Sequence, residues 1–181
     1  MKDIIETERL ILREWKENDA QSLFEGLRNF ETAKNLTVPF PYTLDNAKDF
    51  ISRHLKNSLK SFTFAITLKE TGEVIGGTSL DFYSDINKYK GGIWLNQKFT
   101  GFGYGTETWI ARAKFAFEEL KVNELENGFF EFNEISKKMQ QKIGYKIVGK
   151  RDNFSQALNK PVTEIITILT KEDFYNFLKK K

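Results

Sequence analysis

Gly101, Gly103 and Gly105 stand at alternate positions in the stretch QKFTGFGYGTETWIARAKFAF, residues 97–117. An apolar strand pattern precedes them, and Trp109, Ala113, Ala116, Phe117 and Leu120 follow at helical spacing. Glycine loses more backbone freedom on folding than any other residue, so this density implies a sharp turn or a close approach of backbone to something. A helix N-terminus presents free N–H groups and a positive dipole end, which select a negative partner. The loop reads as a seat for a phosphate. The Walker pattern is excluded because no Gly-Lys-Ser/Thr triplet occurs. The dinucleotide fingerprint would need glycine at Thr106 and a place after the first strand, not the fourth. The catalytic-loop and metal-binding signatures of a protein kinase are missing.

Acid–base chemistry has fewer candidates. Asp81 lies between Leu80 and Phe82, and Glu131 between Phe130 and Phe132. A carboxylate held in an apolar strand has its pKa raised toward the range useful to a base, whereas one on the rim faces solvent. Both readings stand for each residue. Asn133 falls on the same strand face as Glu131 and, with Ser136, opens a short helix. The only histidine, His54, lies on the apolar stripe of a helix and reads as packing. There are no cysteines, which excludes disulfides, thiolate zinc sites and a cysteine nucleophile. No metal is called for.

The elements that position these residues are legible from periodicity. Residues 7–15 alternate as a strand; Ala20, Leu23, Phe24, Leu27 and Phe30 recur at helical spacing. A proline-punctuated loop, TVPFPYT, carries Phe40 and Tyr42, and Thr43 is placed to cap a second helix. Residues 62–68 and 73–84 form a hairpin about Thr71-Gly72, and a further strand covers 89–95. After the glycine loop and its helix come a strand ending in ELENGFFEF and a helix from Glu134 to Ile143. Asn133 stands at that helix's N-cap and Gly144 at its C′ position. YKIVGK and VTEIITILT close the chain as strands. The predicted order is β-α-α-β-β-β-α-β-α-β-β, a single-domain α/β protein with a mixed, mostly antiparallel sheet flanked by helices.

With 181 residues, 40% of them hydrophobic and 14% aromatic, the chain has the makings of one substantial core. A net charge of +3 is mild, and Lys179, Lys180 and Lys181 read as a solvated tail, so no nucleic-acid partner is expected. No apolar run reaches signal-peptide or membrane-span length, and a cytoplasmic protein without a membrane partner is expected.

The segment GFGYGTE (101–107), entered from a strand and opening a helix, resembles the acetyl-coenzyme A pyrophosphate loop of the GNAT acetyltransferase superfamily. ETERLILR, PFPYTLDNAKDFI and NEISKKMQQKIGY resemble the branch that includes the ribosomal-protein alanine N-acetyltransferases, and together the matches span nearly the whole chain. The resemblance implies a sheet whose strands splay apart to admit the coenzyme. Ile93, Trp94 and Leu95 would then pair with pantetheine, and Gly101, Phe102, Gly103, Tyr104, Gly105 and Thr106 would hold the pyrophosphate. Asn133 would meet the pantetheine or thioester. Thr100 departs from the Gln or Arg usual at its position.

The resemblance also implies direct transfer from acetyl-CoA, the cosubstrate, to a primary amine without an acyl-enzyme. Relatives use a tyrosine seven residues after the asparagine as acid; here that position is Gln140, and Ser136 stands where the alanine N-acetyltransferase branch has a serine. Ser136 is the candidate acid, or an ordinary residue of a helix's first turn. Glu131 and Asp81 are the candidate bases, with water as an alternative. Phe40 and Tyr42, with Trp94, would wall the amine site, or would equally serve as core. A protein or peptide N-terminus, of ribosomal-protein type, comes first as acceptor; a polyamine, antibiotic or amino acid comes second, and a non-catalytic acyl-CoA-binding module is the rival class. A homodimer is a state this branch often adopts.

Overall fold

The computed structural model describes residues 4–55 and 60–180. A short hairpin, β1 (Ile4–Glu6) and β2 (Leu10–Arg13), leads into α1 (Ala20–Leu27), α2 (Phe30–Ala33) and α3 (Leu44–Arg53). Then follow β3 (Ser61–Leu68), β4 (Val74–Tyr83), β5 (Lys88–Lys90), β6 (Ile93–Leu95) and the long helix α4 (Tyr104–Glu118). The chain closes with β7 (Glu124–Phe130), α5 (Glu134–Ile143), β8 (Lys146–Ser155), β9 (Lys160–Thr170) and α6 (Lys171–Lys179). The sheet runs β1-β2-β3-β4-β5-β7-β9-β8, and β6 pairs β4 off this path. Every pairing is antiparallel except β5 with β7.

Strand alternation divides the core between two faces. Phe62, Phe64 and Ile66 of β3 pack with Ile75 and Leu80 of β4 against Trp109, Phe115 and Phe117 of α4 and Phe174 of α6. The opposite face carries Ala65 against Trp15, Leu23, Leu27, Tyr42, Ala47 and Ile51, so α1 and α3 cover it. Thr43 caps α3 by accepting from Asn46 N–H, and Gly144 ends α5 at φ 109°, both as the sequence leads one to expect.

The expected strand over 89–95 is two strands. At Gly91 a Cβ would collide with the Ser79 carbonyl, so the chain passes too close to β4 for any side chain there. Arg112, on α4 and 1% exposed, reaches this break: its Nη1 donates to Ser79 O at 3.1 Å and Gly92 O at 3.2 Å. Beyond the break β6 continues along β4 while β5 pairs β7, and the sheet splits between β6 and β7.

Four further differences have local causes. The first strand is confined to β2, because residues 7–9 form the turn that lays β1 back along it. The first helix stops at Leu27, and Asn29 caps a new turn, α2, by accepting from Glu31 N–H. Glu131 lies beyond β7 in a turn and not within the strand. The lysine-rich end is the helix α6, capped by Thr170 and anchored by fully buried Phe174; Lys179 ends it, Lys180 follows exposed, and Lys181 lies outside the described residues.

Gly26 of α1 and Gly77 of β4 leave the space filled by the Trp94 indole, whose ring atoms a Cβ at either position would overlap. Gly26→Ala is therefore expected to destabilise the chain by about 1–3 kcal/mol through overpacking, despite alanine's better helix propensity. Denaturant unfolding checks this; a stabilised variant would show that Trp94 yields freely.

Candidate functional site

From β6 the chain passes through a short turn (Gln97–Phe99) into the glycine loop. Gly101 at φ 87° and Gly103 at φ 84° hold left-handed backbone, and Gly103 is the N-cap of α4. Gly105 has a different reason to be glycine: it is helical, and a Cβ there would lie 3.2 Å from Met139 Sδ, so α5 and α4 close over it. A Cβ at Gly101 would meet nothing, so the loop is open outward. The backbone N–H groups of residues 101–106 meet no acceptor among the described residues. Six unspent donors at the positive end of a 15-residue helix have the chemistry that suits an anion.

Glu107 ties this loop to the N-terminal hairpin. Its carboxylate accepts from Thr7 Oγ1 at 2.5 Å, Arg9 N–H at 2.9 Å and Arg9 Nε at 2.8 Å, while Arg9 Nη1 donates to Phe102 O at 3.0 Å. The Arg9 guanidinium also lies 4.6 Å from the Tyr104 ring centre, and Phe102 and Tyr104 stack at 6.0 Å. Burial favours the neutral form of Glu107, but these donors outweigh it and hold its pKa below the usual carboxylate range. A cleft of about 810 Å³ opens beside this clamp, between the hairpin, α4 and Phe177 of α6; it shares Gly103 and Thr106 with the loop.

The split lies next to the loop. Ile93, Trp94 and Leu95 of β6 pair only with β4 among the described residues, which leaves one strand edge free toward β7. Across the split, Gly128 N–H takes Asn127 Oδ1 at 2.8 Å, and its carbonyl accepts from Gln140 Nε2 at 3.3 Å. Asn133 caps α5, its Oδ1 accepting Ser136 N–H at 3.1 Å. Ser136 Oγ in turn accepts from Gln140 Nε2 at 3.0 Å. Asn133, Ser136 and Gln140 thus form one hydrogen-bonded run along the start of α5.

The carboxylates are arranged otherwise than their sequence neighbours imply. Glu131 is exposed, its N–H bonded to Thr163 O, and it lines a shallow depression of about 440 Å³ with Phe132, Asp152 and Lys160. The chain turns out of the sheet one residue too early to enclose it. Asp81 is half-buried and accepts from Ser61 Oγ at 2.6 Å. Two carboxylates that sequence reasoning passed over are more enclosed: Glu126, 7% exposed, and Glu164, 6% exposed. Glu164 takes Lys90 Nζ at 3.0 Å, Arg151 Nε at 2.9 Å and Asn153 Nδ2 at 2.8 Å, and lies across Gly128, where a Cβ would collide with it. Glu126 pairs in register with Lys90 at the apex of the split, and Arg151 Nη1 lies 3.4 Å from its Oε1. Burial raises the Glu126 pKa, the Glu164 charge adding to it and Lys88 opposing. The signal for both was an acidic residue at an inward-alternating position, in ELEN and in VTEII.

Phe40 is half-buried and meets the exposed Phe30 ring edge-on at 5.8 Å, so it remains available as a wall. Tyr42 does not. It is 6% exposed within the α1–α3 core, and burial pushes its pKa up to about 12, with Arg53 opposing.

The sequence profile of the acetyltransferase (GNAT) domain matches residues 9–146. No curated protein sequence matches the chain. Among solved structures, a GNAT-family acetyltransferase from Bacillus anthracis superposes with a TM-score of 0.80 at 21% identity, over 93% of this chain and 99% of that one. The ribosomal-protein-S5-alanine acetyltransferase from Vibrio fischeri gives 0.79 at 16% identity, over 96% and 99%. The microcin C7 self-immunity acetyltransferase, solved with acetyl-CoA and AMP, gives 0.76 at 14% identity, over 91% and 93%.

The Glu107 clamp carries a pH signature. Its folded pKa is depressed, so its contribution is present above the unfolded carboxylate value, about 4.3, and is lost as pH falls through the folded value. Glu107→Gln is expected to cost roughly 1–2 kcal/mol at neutral pH and nothing measurable once acid has protonated the wild-type carboxyl. Urea unfolding at a series of pH values checks this; parallel pH profiles would refute it.

Proposed function

The chain belongs to the GNAT acetyltransferases, and on that premise we propose that it transfers an acetyl group from acetyl-CoA to the α-amine of a protein or peptide N-terminus. One observation carries the cosubstrate part: six unspent N–H groups at the start of α4 lie beside the free edge of β6. A diphosphate suits the first and a chain of amides the second. The residues to hold them are Gly101, Phe102, Gly103, Tyr104, Gly105 and Thr106 for the diphosphate, and Ile93, Trp94, Leu95 and Asn133 for the amide-bearing arm. The protein N-terminus as acceptor rests on the resemblance of the sequence to the ribosomal-protein branch. The V. fischeri neighbour, by its name, acts on an alanine of a ribosomal protein.

Acetyl-CoA supplies the acyl group as a thioester: a bond forms between amine nitrogen and acetyl carbon, the C–S bond breaks with its electron pair on sulfur, and the amine's surplus proton passes to solvent. The chain's part is to hold both reactants, to accept that proton and to stabilise the departing thiolate. Ser136 is the group for the thiolate. For the proton, Glu126 is better suited than Glu131, because it is buried at the apex of the split while Glu131 is exposed. Asp81 is the second candidate. Trp94 and Phe40 wall the acceptor side.

Calorimetric titration of acetyl-CoA into the wild type, Gly103→Asp and Gly103→Asn tests the seat. Both variants strain the left-handed backbone alike, and only aspartate adds a negative charge. Binding should weaken at least ~100-fold more in Gly103→Asp than in Gly103→Asn, a difference of about 2.7 kcal/mol. Equal weakening would remove the diphosphate from this loop. With binding established, acetylation of peptides bearing free N-termini against polyamines decides the acceptor. Turnover confined to polyamines would overturn the N-terminal reading.

A further inference from the structure

Gln140 is a polar side chain with no exposure at all, at a helix position that faces the core. A buried amide is costly unless satisfied, and this one is satisfied in a directional way. Nε2 faces the Gly128 carbonyl at 3.3 Å, and a carbonyl can only accept, so the amide orientation is fixed by chemistry. Oε1 accordingly receives Thr167 Oγ1–H at 2.6 Å, with Thr167 1% exposed. The second Nε2 hydrogen points at Ser136 Oγ, 3.0 Å away. Ser136 Oγ is thereby committed as an acceptor, and its N–H is committed to Asn133 Oδ1. Its own hydroxyl proton has no acceptor among the described residues.

From this geometry we infer that Gln140 is a positioning residue for acetyl transfer: with Thr167 behind it, it turns the Ser136 hydroxyl into a donor aimed at the departing sulfur. The inference rests on the proposed role of Ser136. Gln140 gives up no proton itself. Thr167 O–H polarises the carboxamide, the amide N–H draws on a Ser136 lone pair, and the Ser136 O–H becomes a stronger donor by the cooperativity of a hydrogen-bond chain. As the C–S bond breaks, the electron pair stays on sulfur and Ser136 keeps its proton, lending it as a hydrogen bond. A leucine or methionine at 140 would fill the space equally well but leave the serine free to rotate.

A readout independent of the acceptor is available. Free CoA bound in the site ends in a thiol, and the same hydrogen bond that stabilises the leaving thiolate lowers that thiol's pKa. Ultraviolet absorbance of the thiolate, titrated on the CoA complexes of wild type, Ser136→Ala, Gln140→Leu, Thr167→Val and the Ser136→Ala/Gln140→Leu double variant, measures it. Gln140→Leu should raise the bound thiol pKa by about one unit, tenfold in ionisation, without weakening CoA binding. Thr167→Val should shift it the same way by less. The double variant should match Ser136→Ala alone, since Gln140 acts through the serine. An unshifted pKa in Gln140→Leu with a shifted one in Ser136→Ala overturns the inference alone, as do additive shifts in the double variant. An unshifted pKa in Ser136→Ala overturns the reading of Ser136 and this inference with it. Should Gln140→Leu fail to fold, Thr167→Val decides: no shift there, with Ser136→Ala shifted, overturns the inference.

Discussion

The break in the sheet at Gly91-Gly92 is the constraint on which the rest of the structure depends. A continuous strand there would pair with β4 and β7 together and close the opening. The chain instead buries Arg112, whose guanidinium takes up the Ser79 and Gly92 carbonyls and lies 4.1 Å from the Trp109 ring centre. A buried cation has a large desolvation cost, and burial pulls the Arg112 pKa down. Its ordinary value is so high that it stays charged. Two carbonyl acceptors and an aromatic face offset part of that cost. The Gly92 carbonyl also accepts from Ser79 N–H at 3.1 Å and Thr78 Oγ1 at 2.9 Å, so the break stays hydrogen-bonded to β4.

Beyond the split, two chemistries lie about the backbone of Gly128 on β7. On the α5 side lie neutral amides and hydroxyls: Asn133, Ser136, Gln140 and Thr167. Beside Gly128 lies an ionic cluster, in which Lys90, Arg151 and Asn153 surround Glu164 while Glu126 pairs in register with Lys90. A neutral donor suits a leaving thiolate, and a buried carboxyl of raised pKa suits an amine that must lose a proton. The backbone of Gly128 runs between the two, and its lack of a side chain lets Glu164 lie across it.

Much of the site was legible in the sequence because it is made locally. Glycines 101 and 103 are glycines for their φ angles, Asn133 caps the helix it precedes, and Thr43 and Gly144 bound theirs. Each of these is set by residues within one turn of chain. Gly105 belongs to the same motif but answers to Met139, 34 residues away, and no periodicity carries that information. The exposure of Glu131 has a similar origin. Alternation fixes which face a residue takes only while the strand lasts, and β7 ends at Phe130. The single strand expected over 89–95 failed because two glycines in sequence do not reveal that a neighbouring carbonyl forbids any side chain at one of them.

The sequence by itself determined most of the long strands and helices, the glycine turn ahead of α4 and the family, because turn chemistry, capping and hydrophobic period act over a few residues and survive without a partner. Only the tertiary structure decided which carboxylates are buried, that Arg112 meets the Ser79 and Gly92 carbonyls and that Gln140 bonds the Ser136 hydroxyl oxygen. The reason is physical: burial and hydrogen-bond direction are properties of groups brought together from distant segments. Thr167 and Gln140 are 27 residues apart, and Arg112 is 33 from Ser79. A polar residue at a core-facing position costs free energy until its partners arrive, and the partners are named by the fold.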